Sequence, residues 1–255
     1  MRLYVLLIAH MLADFTLQTD KMAEKKKTEI KFLWCHCAIY AAVMAVGCFS
    51  CMGIASAFGM IVLFGITHFL IDWARTKYDP KYANDGIKAL GSFLIDQVLH
   101  IGIILFAYWL LREQKPEGWL VCLAKNSELK RFLREILWEG CTLVQLLRYS
   151  LLFLMIMDPA SVLVRKLSGA VSAGKTEQGE ADQSDNHAGS LIGKLERVII
   201  AFLVMYDAYG SIGFVLTAKS LARHDKLKDQ NFAESYLVGT LGSTAIAMML
   251  AQLLG

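Results

Sequence analysis

Imidazole and carboxylate side chains recur at a fixed spacing in the first hundred residues of the chain. Three histidines each lie four residues from an aspartate, and a fourth histidine stands alone in the apolar run between the first two pairs. Because residues i and i+4 share one face of an α-helix, each pair points its two polar groups in one direction. Ionisable groups inside membrane-length helices are costly and usually mark function. The residues are His10 and Asp14, His36, His68 and Asp72, and Asp96 and His100.

These side chains are suited to hold a divalent metal. Histidine and aspartate are common ligands of zinc, manganese and iron, and metal sites are built between the facing helices of bundles. We predict zinc as the cofactor, with manganese or iron as alternatives. The alternative without metal is a buried network in which each histidine donates to the aspartate of its own helix. The predicted metal ligands are His10, Asp14, His68 and Asp72. His36 is predicted to be a ligand or a supporting residue, and Gln18 is predicted to be a supporting residue. Asp96 and His100 are predicted to be further ligands or the catalytic acid and base.

The composition indicates which elements position these residues. The chain is 56% hydrophobic, and its charged residues collect between long apolar runs. This pattern is typical of an all-α, polytopic helical membrane protein. We predict a four-helix core bundle with a polar His/Asp centre, followed by an interfacial helix and by C-terminal helices with a broken or re-entrant segment. The predicted spans cover about residues 2–19, 32–51, 54–74, 90–111, 140–164 and 233–254.

Alternation of the spans predicts that the histidines lie at one depth. The lysine-rich stretch 21–31 places the first loop in the cytoplasm by the positive-inside rule. His36 then begins its span on that side, whereas His68 ends its span there. Because a helix rises about 1.5 Å per residue, all four histidine segments are predicted to converge in the cytoplasmic leaflet.

The remainder of the chain is predicted to be organised in further segments. Asp158-Pro159 is expected to kink or end the fifth span, and Gly210 and Gly213 are expected to break the helix that follows the linker. The predicted segments are 1–111, the four-helix bundle; 112–167, the interfacial helix and fifth span; 168–190, a flexible linker; and 191–255, the C-terminal membrane helices.

A second charged cluster is predicted in the C-terminal segment. Glu196, Arg197, Lys219 and Arg223 are expected to meet on the cytoplasmic side, where they could hold an anionic ligand or a lipid headgroup. The alternative is that Glu196 forms salt bridges with Lys219 or Arg223 and that the remaining charges reach the headgroup region.

Several motifs carry a resemblance to a known family. The opening motif is His10-x-x-x-Asp14-Phe-x-x-Gln18, and His36-x-x-x-Tyr40, His68-Phe-x-Ile-Asp72 and Asp96-Gln97-x-x-His100 follow it. Together they resemble an uncharacterised bacterial family of integral membrane proteins that carry a domain of unknown function. The stretches around Glu196-Arg197, Lys219 and Tyr236 resemble the extension of its longer members. The resemblance implies a multi-pass protein of the bacterial inner membrane and brings no activity with it.

Three functions are compatible with the sequence. The first is a metal-dependent hydrolase that acts on a lipid headgroup or another substrate at the cytoplasmic leaflet. The second is a proton- or ion-coupled transporter or channel, because chains of His and Asp also relay protons. The third is a membrane effector or signalling subunit. Membrane lipids and a second copy of the chain are the expected partners, and nothing in the sequence resembles a nucleic-acid-binding module.

Overall fold

The computed structural model of the chain describes residues 1–82, 85–136, 142–172 and 183–255, and all regular structure in these ranges is helical. The prediction of an all-α fold is therefore confirmed. The helices are α1 (Arg2–Met11), α2 (Asp20–Lys25), α3 (Ile30–Cys51), α4 (Ile54–Tyr78), α5 (Gly86–Leu110), α6 (Trp119–Lys125), α7 (Ser127–Ile136), α8 (Leu143–Ser172), α9 (Gln183–Met205), α10 (Tyr209–Ala222) and α11 (Gln230–Leu254).

Within the described ranges, five helices are long and apolar enough to cross a membrane, namely α3, α4, α5, α8 and α11. The chain is thus a polytopic membrane protein. The first helix is shorter than the span predicted over residues 2–19, because α1 ends at Met11 and is followed only by a π-helical turn at Leu12–Thr16. The chain then turns, and Thr19 begins α2 by accepting a hydrogen bond from the Met22 N–H at 3.3 Å.

The chain divides into two compact units, one formed by residues 1–81 and 92–151 and the other by residues 82–91 and 152–255. The predicted four-segment division remains a prediction. In the first unit, α1 packs against α3 and α3 packs against α4, while α5 completes the core. Each of these four helices contributes a side chain that is at most 1% exposed. These side chains are Leu6, Met44, Phe64 and Ile104.

Two contacts fix the packing of α1 in the first unit. A Cβ atom at Gly47 would lie 3.1 Å from the Ala9 Cβ, so the glycine lets α1 and α3 approach closely. At the start of α1, Arg2 donates to the carbonyl of Cys51 at 3.4 Å and to that of Leu111 at 2.6 Å. Arg2 thereby satisfies carbonyls at the ends of α3 and α5, which otherwise have no helical partner.

The segment after α5 differs from the single interfacial helix predicted over residues 112–139. It forms two short helices, α6 and α7, because Asn126 interrupts the first and caps the second. The Asn126 Oδ1 accepts from the N–H groups of Glu128 and Leu129 at 2.8 and 3.2 Å. Residues 137–141, where the prediction also falls, lie outside the described residues.

In the second unit, α9 packs against α10 and α11. Pro159 does not end the fifth span as one alternative had predicted, since α8 continues through it to Ser172. The predicted linker at 168–190 is helical at both described edges, and its residues 173–182 lie outside the described part of the chain.

The break predicted after the linker occurs between α9 and α10. It is not made by Gly210 and Gly213, which lie inside α10. Asp207 makes the turn with a φ of 54°. Aspartate tolerates this left-handed conformation better than most residues, so no glycine is needed.

Candidate metal centre

The centre of the first unit is built around the imidazole of His36. Its Nε2 atom lies 3.1 Å from the Nε2 of His68, 3.3 Å from the Oδ1 of Asp14 and 3.4 Å from the Oδ2 of Asp72. The four side chains come from α3, α4 and the π-helical turn after α1. The side chains of Asp14, His68 and Asp72 therefore all approach the Nε2 of His36, and their role as metal ligands stays a prediction.

The shortest contacts at this centre run between helices. His68 Nε2 lies 3.8 Å from the Asp72 carboxylate of its own helix, and His100 Nδ1 lies 3.8 Å from the Oδ1 of Asp96. These distances exceed those of ordinary hydrogen bonds. The alternative in which each histidine donates to its own aspartate therefore does not describe the structure.

Lys26 and Gln18 border the centre on the side of the first loop. The Lys26 Nζ lies 2.7 Å from the Asp72 Oδ2, and its side chain is 10% exposed. The side-chain amide of Gln18 can be oriented so that both its nitrogen and its oxygen are hydrogen-bonded. In that orientation the nitrogen donates to the Asp14 backbone carbonyl at 3.0 Å, and the oxygen accepts from the Lys26 Nζ at 2.7 Å. Gln18 thus contacts both the backbone of Asp14 and the lysine that pairs with Asp72.

Asp96 and His100 of α5 form the opposite side of the centre. The Asp96 Oδ2 accepts from Arg75 at 2.8 Å and from the Gln97 Nε2 at 3.0 Å. Gln97 also donates to the Oδ2 of Asp14 at 3.0 Å, so it links the two carboxylates. His100 turns its Nδ1 toward the Asp96 backbone carbonyl at 2.9 Å.

His10 is placed beside the centre and belongs to none of its three-residue ligand groups within the described chain. Its Nε2 lies 3.4 Å from the Gln97 Oε1, and its ring stacks against that of His100 with 5.4 Å between centroids. Gln97 thus contacts both His10 and the carboxylate of Asp14, and the role of His10 as a metal ligand stays a prediction.

The centre is buried, yet several of its polar atoms lack hydrogen-bond partners within the described part of the chain. They are the Nδ1 atoms of three histidines, one carboxylate oxygen and one further imidazole nitrogen. A buried polar atom left unpaired costs about 1–3 kcal/mol. Such a concentration of unpaired groups points to a missing partner. The atoms belong to His10, His36, His68, Asp96 and His100.

Three groups of side chains could each hold a metal ion, because their ligand atoms lie within 4.8 Å of one another. Ligands bound about 2.0–2.1 Å from a tetrahedral zinc ion are about 3.3 Å apart, which matches the distances around His36. The groups are Asp14, His36 and His68; Cys37, His68 and Asp72; and Asp14, Asp96 and His100.

Sequence reasoning missed Lys26, Arg75 and Gln97 as members of the centre. Arg75 follows His68 and Asp72 at helical spacing, so its position on the same face of α4 was a usable signal. Gln97 is adjacent to Asp96 in the motif of α5. Lys26 carried no such signal, because it reaches the centre from the end of α2.

The predicted C-terminal residues form separate contacts within the second unit. Lys219 donates to Glu196 in a partly buried ion pair, as the alternative of mutual salt bridging predicted. Arg197 is 3% exposed and donates to the carbonyls of Ile156 and Met157 at 2.6 and 3.1 Å. Arg223 is partly exposed at the end of α10. The prediction that these residues hold an anionic ligand or a lipid headgroup stays a prediction.

Comparison with known proteins gives a single finding. Residues 3–129 match the model of a family described as protein of unknown function (DUF3307). This range contains all seven His and Asp residues that were predicted for the centre. The C-terminal stretches that resemble the extension of longer family members lie outside this range, so that resemblance stays a prediction. No curated protein and no solved structure matches the chain.

Proposed function

We propose that the polar centre within residues 3–129, which match the DUF3307 family model, binds a divalent metal to hydrolyse an ester or phosphate bond at the membrane surface. The observation that carries this proposal is the convergence of His68, Asp14 and Asp72 on the Nε2 of His36 at 3.1–3.4 Å. Zinc suits this set of ligands, with manganese or iron as alternatives.

The charges of the centre favour a cation. Asp72 is paired with Lys26 and Asp96 with Arg75, whereas the contacts of Asp14 are with His36 and Gln97. With neutral histidines, one negative charge is thus left uncompensated in a buried site. A divalent ion offsets that charge, and the Nε2 atoms of His36 and His68 would hold it together with the neighbouring carboxylate oxygens.

The surroundings support hydrolysis at such an ion. A bound metal lowers the pKa of a water molecule toward neutrality and polarises the bond under attack. In the reaction, the water oxygen bonds to phosphorus or to the ester carbon while the bond to the leaving alcohol breaks. Asp96, with one unpaired oxygen beside His100, is placed to take the proton from water and pass it to the leaving oxygen.

The rim of the centre favours an anionic substrate. Arg75 and Lys26 are 21% and 10% exposed, whereas His36, His68 and Asp72 are at most 1% exposed. The side that opens to the surroundings therefore carries two basic groups, of which Arg75 is also paired with Asp79, whose side chain is 17% exposed. A lipid headgroup in the cytoplasmic leaflet of the bacterial inner membrane is the substrate that this placement favours, and the same proposal makes membrane lipids the principal partners.

Metal analysis of the detergent-purified protein tests the first step. Wild-type protein is expected to retain at least about one zinc, manganese or iron ion per chain, and His36→Ala is expected to lose it. His224→Ala is the matched control, because His224 is exposed in the second unit. A wild-type protein that is folded and metal-free after exposure to each ion would refute the proposal.

Hydrolysis is tested with vesicles of anionic phospholipid. Protein stripped by a chelator and reloaded with metal is expected to release headgroup or phosphate, which mass spectrometry of the lipid and aqueous phases detects. Asp96→Asn is expected to retain metal at the His36 site and to lose about 100-fold in rate. Metal-loaded protein that leaves the vesicle lipids and soluble phosphate esters intact would refute the catalytic part.

One observation favours proton transfer as a second candidate function. The rings of His36, His68, His100 and His10 follow one another with centroids 5.0, 4.7 and 5.4 Å apart. Such a row could relay protons. The row passes from α3 to α4, then to α5 and α1. Proton flux into liposomes that disappears in His68→Ala, from protein shown to be metal-free, would favour this candidate over hydrolysis.

A further inference from the structure

The carboxylate of Asp14 faces two sets of groups at once. Its Oδ1 lies 3.3 Å from the Nε2 of His36, whereas its Oδ2 accepts from Gln97 at 3.0 Å. Gln97 in turn donates to Asp96 at 3.0 Å. The π-helical turn at Leu12–Thr16 holds Asp14 in this position, and π-turns inside helices are frequent at functional sites.

The second set consists of Asp14, Asp96 and His100, whose ligand atoms lie within 4.8 Å of one another. The Asp96 Oδ1 and the His100 Nε2 are buried and have no hydrogen-bond partner within the described residues. Because the Asp96 carbonyl can only accept, the His100 proton lies on Nδ1, and Nε2 keeps a free lone pair. The set therefore contains two buried atoms that lack a positive partner.

We infer that Asp14, Asp96 and His100 bind a second divalent cation, so that Asp14 bridges two ions and Asp96 acts as a metal ligand rather than as the proton acceptor of a one-ion site. The inference rests on the proposed function, since its bridging ligand is shared with the ion at His36. Paired metal ions joined by a carboxylate in the core of a helical bundle are a stable arrangement. Two ions about 3.5–4 Å apart clamp the attacking and leaving oxygens of a displacement at phosphorus.

The charges of a two-ion centre favour an anionic substrate. Asp14, Asp72 and Asp96 contribute three negative charges, Lys26 and Arg75 contribute two positive charges, and Asp79, which shares Arg75 with Asp96, contributes a fourth negative charge. Two divalent ions and a bridging hydroxide would bring the total to one positive charge. The anion of a phosphate ester offsets that charge, whereas a neutral carboxylic ester does not. A centre with one ion and hydroxide would carry one net negative charge and would disfavour an anionic substrate.

Metal stoichiometry tests the inference directly. After loading with Mn²⁺ or Zn²⁺ and removal of free ion, wild-type protein and the His224→Asn control are expected to hold about two ions per chain. His36→Asn and His100→Asn are each expected to hold one, and Asp14→Asn none, because Asp14 is shared. Folding of each variant is checked by its elution volume and by its helical circular dichroism.

A measurement on the unaltered protein keeps the test independent of the variants. Two Mn²⁺ ions bridged by a carboxylate give an exchange-coupled electron paramagnetic resonance spectrum, whereas isolated ions give a simple hyperfine pattern. A coupled spectrum supports the second site. One ion per chain that survives in His100→Asn, with an uncoupled spectrum, overturns the second site alone. Complete absence of metal overturns the proposed function together with it.

Discussion

Both units of this protein bury charged side chains among apolar helices, but they do so in opposite ways. In the second unit, the Arg197 guanidinium donates to two backbone carbonyls and to the hydroxyls of Ser161 and Ser243. In the first unit, imidazoles and carboxylates crowd around His36, and five of the centre's residues retain an unpaired polar atom.

This difference distinguishes buried charged groups that stabilise the fold from buried charged groups that are candidates for binding a ligand. Pro159 has no N–H, so α8 lacks the hydrogen bond to the Met155 carbonyl, and Arg197 donates to the two carbonyls that follow it. Arg2 has the same role at the ends of α3 and α5. A buried group whose bonds are all made within the protein stabilises the fold, whereas buried groups left unpaired together indicate a ligand.

Removal of Arg197 is expected to give the largest change in stability. Arg197→Ala removes four buried hydrogen bonds, two of them to the carbonyls of Ile156 and Met157, and should cost about 4 kcal/mol. In detergent, the melting temperature should fall by about 10 °C while metal content stays at the wild-type level. Arg223→Ala is the control, since Arg223 is partly exposed, and it should melt close to wild type. A wild-type melting temperature for Arg197→Ala would show that these bonds do not stabilise the unit.

Replacement of His68 is expected to weaken metal binding without lowering the stability of the metal-free protein. His68→Phe removes an imidazole with an unpaired Nδ1 and keeps an aromatic ring against Tyr40, whose ring stacks at 3.6 Å. Metal affinity should fall at least about 100-fold. In the presence of chelator, the variant should melt no lower than wild type, because a buried unsatisfied group has been removed. If the chelated variant melted several degrees lower, the His/Asp centre would be a structural network like that of Arg197.

Lys26 tests whether the basic rim serves the substrate or the fold. Lys26→Met removes the ion pair with Asp72 at 2.7 Å while keeping much of the side chain's volume. Hydrolysis of anionic substrate should fall about tenfold while bound metal is retained, because the charge acts on the substrate rather than on the ion. Lys25→Met is the matched control, since Lys25 is 42% exposed and pairs with Glu29. Loss of metal in Lys26→Met would instead make the lysine part of the metal centre's own support.

The sequence allowed much of the centre to be predicted because its spacing follows helical geometry. His68 and Asp72 share a face of α4, and the antiparallel order of the helices brings them to His36 at one depth. The π-helical turn at Asp14 has no comparable sequence pattern, so the separation of His10 from Asp14 could not be foreseen. The turn at Asp207 was missed for a similar reason, because glycines nearby were the stronger signal.

The smallest expected effect concerns the approach of α1 to α3. In Gly47→Ala, the new Cβ would lie 3.1 Å from that of Ala9, so the two helices must separate by a few tenths of an ångström. The cost should be about 1 kcal/mol, or about 3 °C in melting temperature. Asp14 lies in the π-helical turn directly after α1, and His36 belongs to α3. Because the substitution separates these two helices, metal affinity should fall by about threefold to tenfold as well.

Gly65→Ala provides the comparison for that substitution. A Cβ at Gly65 meets no atom within 4 Å, and the residue lies inside α4, where alanine favours the helix by about 1 kcal/mol. The protein with this change should melt slightly higher and bind metal as wild type does. If Gly47→Ala lowered the melting temperature without weakening metal binding, the centre would tolerate small helix movements. Its ligands would then be positioned by their own contacts around His36 rather than by the packing of α1.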